Sequence, residues 1–220
     1  MTAAIVFDLD GTLVDSAPDI AAAANRLLEE MTLAPLPVPL LTSFIGHGIP
    51  NLVHRVMAAR GLPPERHKAL NARMIALYSE RPAELSRPYP GVPEMLARLA
   101  GKGHRLGVCT NKYRGLSLAI LEALDIARHF DVVIGGDSLA VKKPDPAPLH
   151  AAFERLGATG LYVGDSEVDA ETAAAAGCDF ALFTEGYRKA GIETLPHTFA
   201  FDDHGALPDL LARRARSGAG

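Results

Sequence analysis

Cysteine is scarce in this chain: only Cys109 and Cys178 occur in 220 residues, too few for a disulfide framework. Each lies in or beside an apolar run that reads as a strand, where a free thiol packs as a small hydrophobe, so no disulfide is expected. No apolar run approaches the ~20 residues of a membrane span. The acidic residue Asp8 arrives too early to leave room for a secretory h-region, and cytoplasmic residence is the expectation. A basic excess is missing too. Twenty-two Lys and Arg against 26 Asp and Glu leave a formal net charge of −4, and the cations are scattered except near the C-terminus. Nucleic acid and anionic membranes are therefore not expected partners, whereas a small anionic substrate is compatible given a local cationic site. Internal repeats are lacking as well. What the chain does have is 48% hydrophobic and 22% charged residues, enough for one sizeable core with room for a smaller appended domain.

The stretch Ile5-Val6-Phe7-Asp8-Leu9-Asp10-Gly11-Thr12-Leu13 joins an apolar strand to two closely spaced carboxylates. Thr2 to Val6 has the character of a strand buried on both faces, and Gly11 with Thr12 supplies the turn that ends it. The carboxylates thus sit at a strand's C-terminal end, the edge where open α/β sheets bind ligands. Asp8 and Asp10, two residues apart, project to the same side and can reach one phosphoryl group and one hard cation. Two like charges this close need a counter-ion. A solvated acidic loop explains an isolated D-x-D equally well, so the remainder of the chain has to decide.

Asp15 or Ser16 can cap a helix with Pro18 and Asp19 in its first turn and a body from Ala21 to Glu30. From there to about Arg81 no strand is expected, only helical segments broken at Pro35, Pro37, Pro39, Gly46-His47-Gly48 and Gly61-Leu62-Pro63-Pro64. Residues 16–86 therefore read as an all-helical insert, a cap domain, between residues 1–15 and 87–220. Beyond the proline-punctuated return Arg87-Pro88-Tyr89-Pro90-Gly91, helices and strands alternate. Helix is expected over Val92–Ala100, Tyr113–Leu124, Pro146–Leu156 and Ser166–Ala176, and strand over Arg105–Cys109, Asp131–Ile134, Leu161–Val163 and Phe180–Phe183. A short edge strand over Thr198–Phe201, a last helix over Leu207–Ala215 and a frayed tail from Arg216 to Gly220 complete the pattern. Such alternation predicts an α/β fold: a doubly wound parallel sheet, Rossmann-like, with helices on both faces.

Three further segments place chemistry just beyond expected strand ends. Thr110-Asn111-Lys112 offers a hydroxyl and backbone N–H groups that can hold phosphate oxygens, or serve as an ordinary helix cap. In Lys142-Lys143-Pro144-Asp145-Pro146, Lys142 reads as solvated, while Lys143 has a reason for burial in the aspartates and a phosphate. In Gly164-Asp165-Ser166-Glu167-Val168-Asp169, Asp165 at the helix N-cap and Asp169 four residues on share one face, with Glu167 expected in solvent.

D-x-D-G-T after an apolar strand, Thr after the second strand, Lys directly before Pro, and G-D-S-x-x-D, in this order, resemble the four motifs of the haloacid dehalogenase superfamily. The run FDLDGTLVDSAPDI looks like its phosphoglycolate phosphatase branch. The resemblance implies a phosphatase acting on a small phosphate monoester, 2-phosphoglycolate foremost, through an aspartyl-phosphate. Asp8 would be the nucleophile and Asp10 the acid and base. Thr110 and the Asn111 N–H would hold phosphate oxygens, and Lys143 would neutralise the transferring phosphoryl group. Asp8, Asp165 and the backbone carbonyl of Asp10 would form a hard oxygen site for Mg²⁺, with Asp169 orienting Lys143 or metal waters. Dehalogenases of the superfamily lack an acid at the position of Asp10. A phosphomutase or a sugar-phosphate phosphatase is the alternative, and a non-catalytic phosphate-binding protein would have lost Asp8, Asp10 or Lys143. Substrate choice falls to the cap loop around Gly46, His47 and Gly48, which leads to a helix start near Asn51 whose free N–H groups suit a carboxylate. Those glycines also serve simply to break a helix. The protein is expected as a monomer or homodimer.

Overall fold

Strand β1 (Ala4–Phe7) is buried along its whole length, as a run of apolar residues at the centre of a parallel sheet must be. The computed structural model describes residues 4–217, so Thr2 and Ala3 of the expected first strand and residues 218–220 of the expected tail lie outside the described residues. After β1 come β2 (Val14–Asp15), helices α1 (Ala17–Glu29), α2 (Val38–Thr42), α3 (Ile49–Ala59) and α4 (His67–Glu80), then β3 (Arg87–Pro88). The remainder alternates: α5 (Val92–Gly101), β4 (Arg105–Cys109), α6 (Arg114–Ala123), β5 (Val132–Ile134), α7 (Ala147–Leu156), β6 (Gly160–Gly164), α8 (Glu167–Ala176), β7 (Asp179–Phe183), β8 (Phe199–Phe201) and α9 (Leu207–Ser217).

Six strands pair in the order β5-β4-β1-β6-β7-β8, all parallel. The alternation of side chains along each strand divides the core into two faces. Ile5, Phe7, Val108 and Val163 face Val92, Leu96 and Ile120 of α5 and α6. Ala4, Val6, Tyr162 and Leu182 face Leu149, Phe153 and Ala173 of α7 and α8. From β1 the chain first builds outward through β4 and β5, then returns to build outward through β6, β7 and β8. The strand order reverses between β1 and β6, and in a doubly wound sheet the ligand crevice opens at the carboxyl ends of such a pair.

Helices α1 to α4 pack on one another through Ile20, Leu27, Leu41, Val53, Met74 and Leu77, and no strand occurs between β2 and β3. The two chain crossings that bound this helical segment are more ordered than loose linkers. Val14 pairs with Pro88 and Asp15 with Arg87 in a short antiparallel ladder. Asp19, in the first turn of α1 and buried, accepts hydrogen bonds from Leu85 N (3.0 Å), Ser86 N (2.7 Å) and Ser86 Oγ (2.5 Å). Asp19→Ala leaves these donors without their acceptor. At about 1–3 kcal/mol for each buried donor left unsatisfied, a loss near 3 kcal/mol is expected. That lowers Tm by roughly 6–12 °C at ~2–4 °C per kcal/mol. A thermal scan within 2 °C of the parent would show that Asp19 does not fasten this crossing.

One terminal expectation shifts. The last helix runs on through Ser217, so Arg216 belongs to α9 rather than to a tail. Cys109 is buried and Cys178 half-buried, both as free thiols. Among the described residues no helix is long and apolar enough to cross a membrane.

Candidate active site

The carboxyl ends of β1 and β6 bring Asp8 and Asp165 together. Asp8 N donates to Val163 O (2.8 Å), continuing the ladder one residue beyond β1. Gly11 has φ +86°, and a Cβ built there would lie 2.5 Å from Asp165 Oδ2; the turn passes so close to the second carboxylate that only glycine fits. Thr12 Oγ1 donates to Asp165 Oδ1 (2.7 Å) and Tyr187 N to Asp165 Oδ2 (2.6 Å).

Those two bonds correct the expected helix cap. The N-cap of α8 is Ser166, in a capping box with Asp169, because Asp165 is turned toward the β1 loop instead. Asp169 is fully engaged. Its Oδ2 accepts from Asp165 N (3.2 Å), Ser166 N (3.1 Å) and Ser166 Oγ (2.6 Å), and its Oδ1 from Lys143 Nζ (2.6 Å) and Tyr162 OH (2.7 Å). Lys143, 2% exposed, also lies 3.0 Å from Asp8 Oδ1.

Asp8, Asp165 and Asp169 place carboxylate oxygens within 4.8 Å of one another, and Lys143 pairs with two of them, Asp8 and Asp169. Burial, opposed by Lys143 and reinforced by Asp169 and Asp10, pushes the Asp8 carboxyl up to about 7. Asp165 is raised well above the carboxylate range by burial and then by Asp169 and Asp8. Burial acts the same way on Asp169, but Lys143 and its hydrogen bonds hold it below the usual range. Burial works against the charge of Lys143, yet Asp169 and Asp8 hold its proton more firmly than in water. Two of the three carboxyl groups are thus pushed toward their neutral forms by burial and by one another, and a divalent cation among them would let them ionise. Five hydrogen bonds already engage the oxygens of Asp169, whereas Asp8 Oδ1 pairs with Lys143 Nζ and each oxygen of Asp165 accepts a single hydrogen bond. Asp8 and Asp165, whose oxygens carry fewer donors, are the side chains that could hold a hard cation through oxygen.

Asp10 belongs to a second cluster. Lys112 Nζ reaches both of its oxygens (2.7 and 2.8 Å) and Ser16 Oγ donates to Oδ1 (2.5 Å). Lys112 is buried and its ammonium lies 4.7 Å from the ring centre of Tyr78 in α4. Burial acts against its charge, but Asp10 raises its affinity for the proton above the ordinary value.

Thr110 and Asn111 line the same cavity as Asp8 and Asp10, but they do not cap α6, which starts at Arg114 after Tyr113. The Asn111 side chain bridges two loops. Its Nδ2 donates to Gly46 O and to Lys143 O (3.0 Å each), tying the loop before α3 to the Lys143 loop. Gly48 (φ +82°) packs so tightly that a Cβ would lie 2.9 Å from Asn111 O, while Gly46 (φ +119°) has open space there. His47 is exposed; its carbonyl accepts from Lys142 Nζ (2.7 Å). Partial burial, then Lys189 and Lys142, disfavour its imidazolium. Glu167 is not free in solvent as expected, since its Oε1 accepts from Lys189 N (2.7 Å) and Ala190 N (2.6 Å). The cavity enclosed by these parts has a volume of about 220 Å³, below the ~300–1,000 Å³ of drug-sized pockets.

Sequence reasoning missed Lys112 and Tyr187. The Tyr187 hydroxyl accepts from Ser16 N (2.8 Å) and Ala17 N (2.9 Å) and donates to Asp15 Oδ1 (2.7 Å). Tyr187 therefore joins Asp165 to the start of α1. Lys112 directly follows Thr110-Asn111 and so had an adjacent signal; Tyr187, in the loop after β7, had none.

The geometry, a carboxylate pair at the sheet's reversal point with a buried lysine between it and a third aspartate, is that of a hydrolase class. A family model described as haloacid dehalogenase-like hydrolase matches residues 5–183, and the chain belongs to that family. It is 52% identical over 212 residues to a phosphoglycolate phosphatase of Cereibacter sphaeroides, covering 95% of this chain and 97% of the relative. To a phosphoglycolate phosphatase of Rhodospirillum rubrum it is 42% identical over 220 residues, covering 96% and 91%. The crystal structure of a predicted phosphoglycolate phosphatase from Haemophilus somnus superposes with a TM-score of 0.89 at 33% identity, covering 96% of this chain and 98% of that one. Within the family the chain is a phosphoric monoester hydrolase of the phosphoglycolate phosphatase-like branch.

Proposed function

We propose that the protein hydrolyses 2-phosphoglycolate to glycolate and phosphate, with Mg²⁺, through an aspartyl-phosphate on Asp8. The observation that carries this reading is the pairing of Asp8 with Lys143 at 3.0 Å beside the two-carboxylate opening toward Asp165. Asp8 Oδ attacks phosphorus while the bond from phosphorus to the ester oxygen breaks, and Asp10 gives its proton to that oxygen. Asp10, now a carboxylate, takes a proton from water as the water oxygen attacks the phosphoryl group, which frees Asp8 and inorganic phosphate. Lys143 offsets charge on the transferring group, with Thr110 and the Asn111 N–H toward its other oxygens. Asp169 fixes Lys143 in place. Asp8, Asp165 and the Asp10 carbonyl would hold Mg²⁺, which when bound neutralises the repulsion between carboxylates and phosphate.

The reading divides the chain into a core of residues 1–15 and 87–220 and a cap of residues 16–86. The cap closes over the crevice and excludes water, with the loop Gly46-His47-Gly48 seated against Asn111. The enzyme acts in the cytoplasm as a monomer or homodimer, without nucleic-acid or membrane partners.

Phosphate release across two- to six-carbon phosphate esters, with and without Mg²⁺, tests it. 2-Phosphoglycolate is expected to give the highest kcat/KM. Excess chelator is expected to abolish release, with Mg²⁺ restoring it; full activity in chelator would remove the metal from the scheme. A sugar phosphate outperforming phosphoglycolate would overturn the substrate and leave the family assignment intact.

A further inference from the structure

We infer that Lys112 is the residue that selects the substrate, by binding a carboxylate carried on the carbon next to the ester oxygen. The inference rests on the proposed role of Asp10 as the acid serving that oxygen. Among the described residues lining the cavity, the lysines are Lys112 and Lys189. Lys189 is exposed, whereas Lys112 is buried. Lys143 is already committed to Asp8, Asp169 and Tyr162.

Position gives Lys112 its reach. An acid must lie within about 2.6–3.2 Å of the ester oxygen it protonates, and Lys112 Nζ lies 2.7 and 2.8 Å from the two Asp10 oxygens. The ammonium is therefore one hydrogen bond further from phosphorus than the acid. In 2-phosphoglycolate the carboxylate is separated from the ester oxygen by a single methylene, which puts its oxygens roughly 2.6–3.6 Å from that atom by ordinary bond lengths and angles. The same short span that lets the ester oxygen meet Asp10 lets the carboxylate meet Lys112. An ammonium has three N–H donors; Asp10 takes two, and the substrate carboxylate takes the third or displaces one. Tyr78 of α4, whose ring centre is 4.7 Å from Nζ, covers the pair, and a dry charge pair discriminates more strongly than a wet one.

The start of α3 is the competing anion site and is less suited. Pro50 lies in its first turn and brings no N–H, and Gly48 is already packed against Asn111 O. His47 is exposed and disfavours its charged form.

Kinetics of Lys112→Gln and Lys112→Arg with 2-phosphoglycolate and with 2-hydroxyethyl phosphate, which carries a hydroxymethyl group in place of the carboxylate, test the inference. In Lys112→Gln, kcat/KM for phosphoglycolate is expected to fall roughly a hundredfold further than for hydroxyethyl phosphate, with KM carrying the difference. Lys112→Arg is expected to keep most of the preference. Equal losses on both substrates would mean that Lys112 only positions Asp10, and would overturn the inference while the phosphatase reading stands. The unmodified enzyme supplies a second measurement, independent of how the variants fold: the phosphate ester of 3-hydroxypropionate, whose carboxylate is one methylene further out, is expected to lose more than tenfold in kcat/KM. Equal use of the two acids would overturn the inference, whereas preference for hydroxyethyl phosphate over phosphoglycolate would overturn the proposed substrate with it.

Discussion

Asp8→Asn is expected to abolish phosphate release, a loss of about 10⁴-fold or more on the scale of other removed nucleophiles, without unfolding the protein. The amide keeps the size and shape of the carboxylate but has no anionic oxygen to attack phosphorus. The fold should tolerate it, because Asp8 is crowded by the carboxyl groups of Asp165 and Asp169 and shares Lys143 with Asp169. In chelator the variant should melt at or above the temperature of the parent. The pH dependence follows with a definite sign. Asp8 has a carboxyl raised from 3.8 to about 7 in the folded state, so between those values the folded protein holds a proton that the unfolded chain has lost. Stability attributable to Asp8 therefore falls as pH rises through that window. Asp8→Asn removes this contribution and should flatten the metal-free Tm profile from about pH 4 to 7. Retained turnover would sink covalent catalysis by Asp8, and an unchanged Tm profile would show that the crowding of the carboxylates is relieved some other way.

The sheet was legible because the signal for each strand is local. Ile5-Val6-Phe7, Leu106-Gly107-Val108-Cys109 and Leu161-Tyr162-Val163 are short apolar runs with turn residues after them, and a parallel strand buried on both faces can hardly look otherwise. Helix ends moved by one or two residues, as at Tyr113 and Pro146. The ladder of β2 and β3 left no trace in the sequence: four residues, one of them Pro88, carry no periodicity. What holds that crossing is the tertiary set of bonds to Asp19 and Tyr187.

In the candidate site, Asp8 and Asp165 directly follow strands β1 and β6, while Lys143 lies in the connection after β5 and Asp169 in the first turn of α8; a doubly wound sheet gathers such strand ends at one edge, which is why these four could be grouped. The helix cap could not be decided locally. Asp and Ser are both good N-caps, and Ser166 takes the position only because Thr12 and Tyr187, 153 and 22 residues away, claim the oxygens of Asp165. Lys112 entered the reading only through the backbone of Thr110-Asn111-Lys112, with no role for its side chain. It is buried by Tyr78 from the helical segment and paired with Asp10 102 residues earlier, neither of which a linear reading supplies. Asn111 was placed by its backbone, while its side chain spans between Gly46 and Lys143.

Lys143→Met is expected to be the most destabilising substitution in the core site. The side chain is 2% exposed and its ammonium touches Asp8 (3.0 Å) and Asp169 (2.6 Å), so the apolar replacement leaves Asp169, itself fully buried, without its cation. Removing one partner of a buried pair costs about 3–5 kcal/mol, or roughly 6–20 °C in Tm for a chain of this size. Methionine fills most of the lysine's volume, so the cost reports lost charge rather than a cavity. Turnover should fall by about 10²–10³-fold or more, as for other removed groups that stabilise transferring charge. The two losses separate under Mg²⁺. A cation bound by Asp8 and Asp165 supplies part of the missing positive charge and stabilises the folded state by mass action, so Tm should recover partly with Mg²⁺. Turnover should not, since no group then replaces the ammonium on the phosphoryl oxygen. A Lys143→Met protein that melts with the parent in chelator would show that Asp8 and Asp169 do not depend on Lys143. Recovery of turnover in step with Tm would remove Lys143 from the chemistry and leave it as a structural counter-ion.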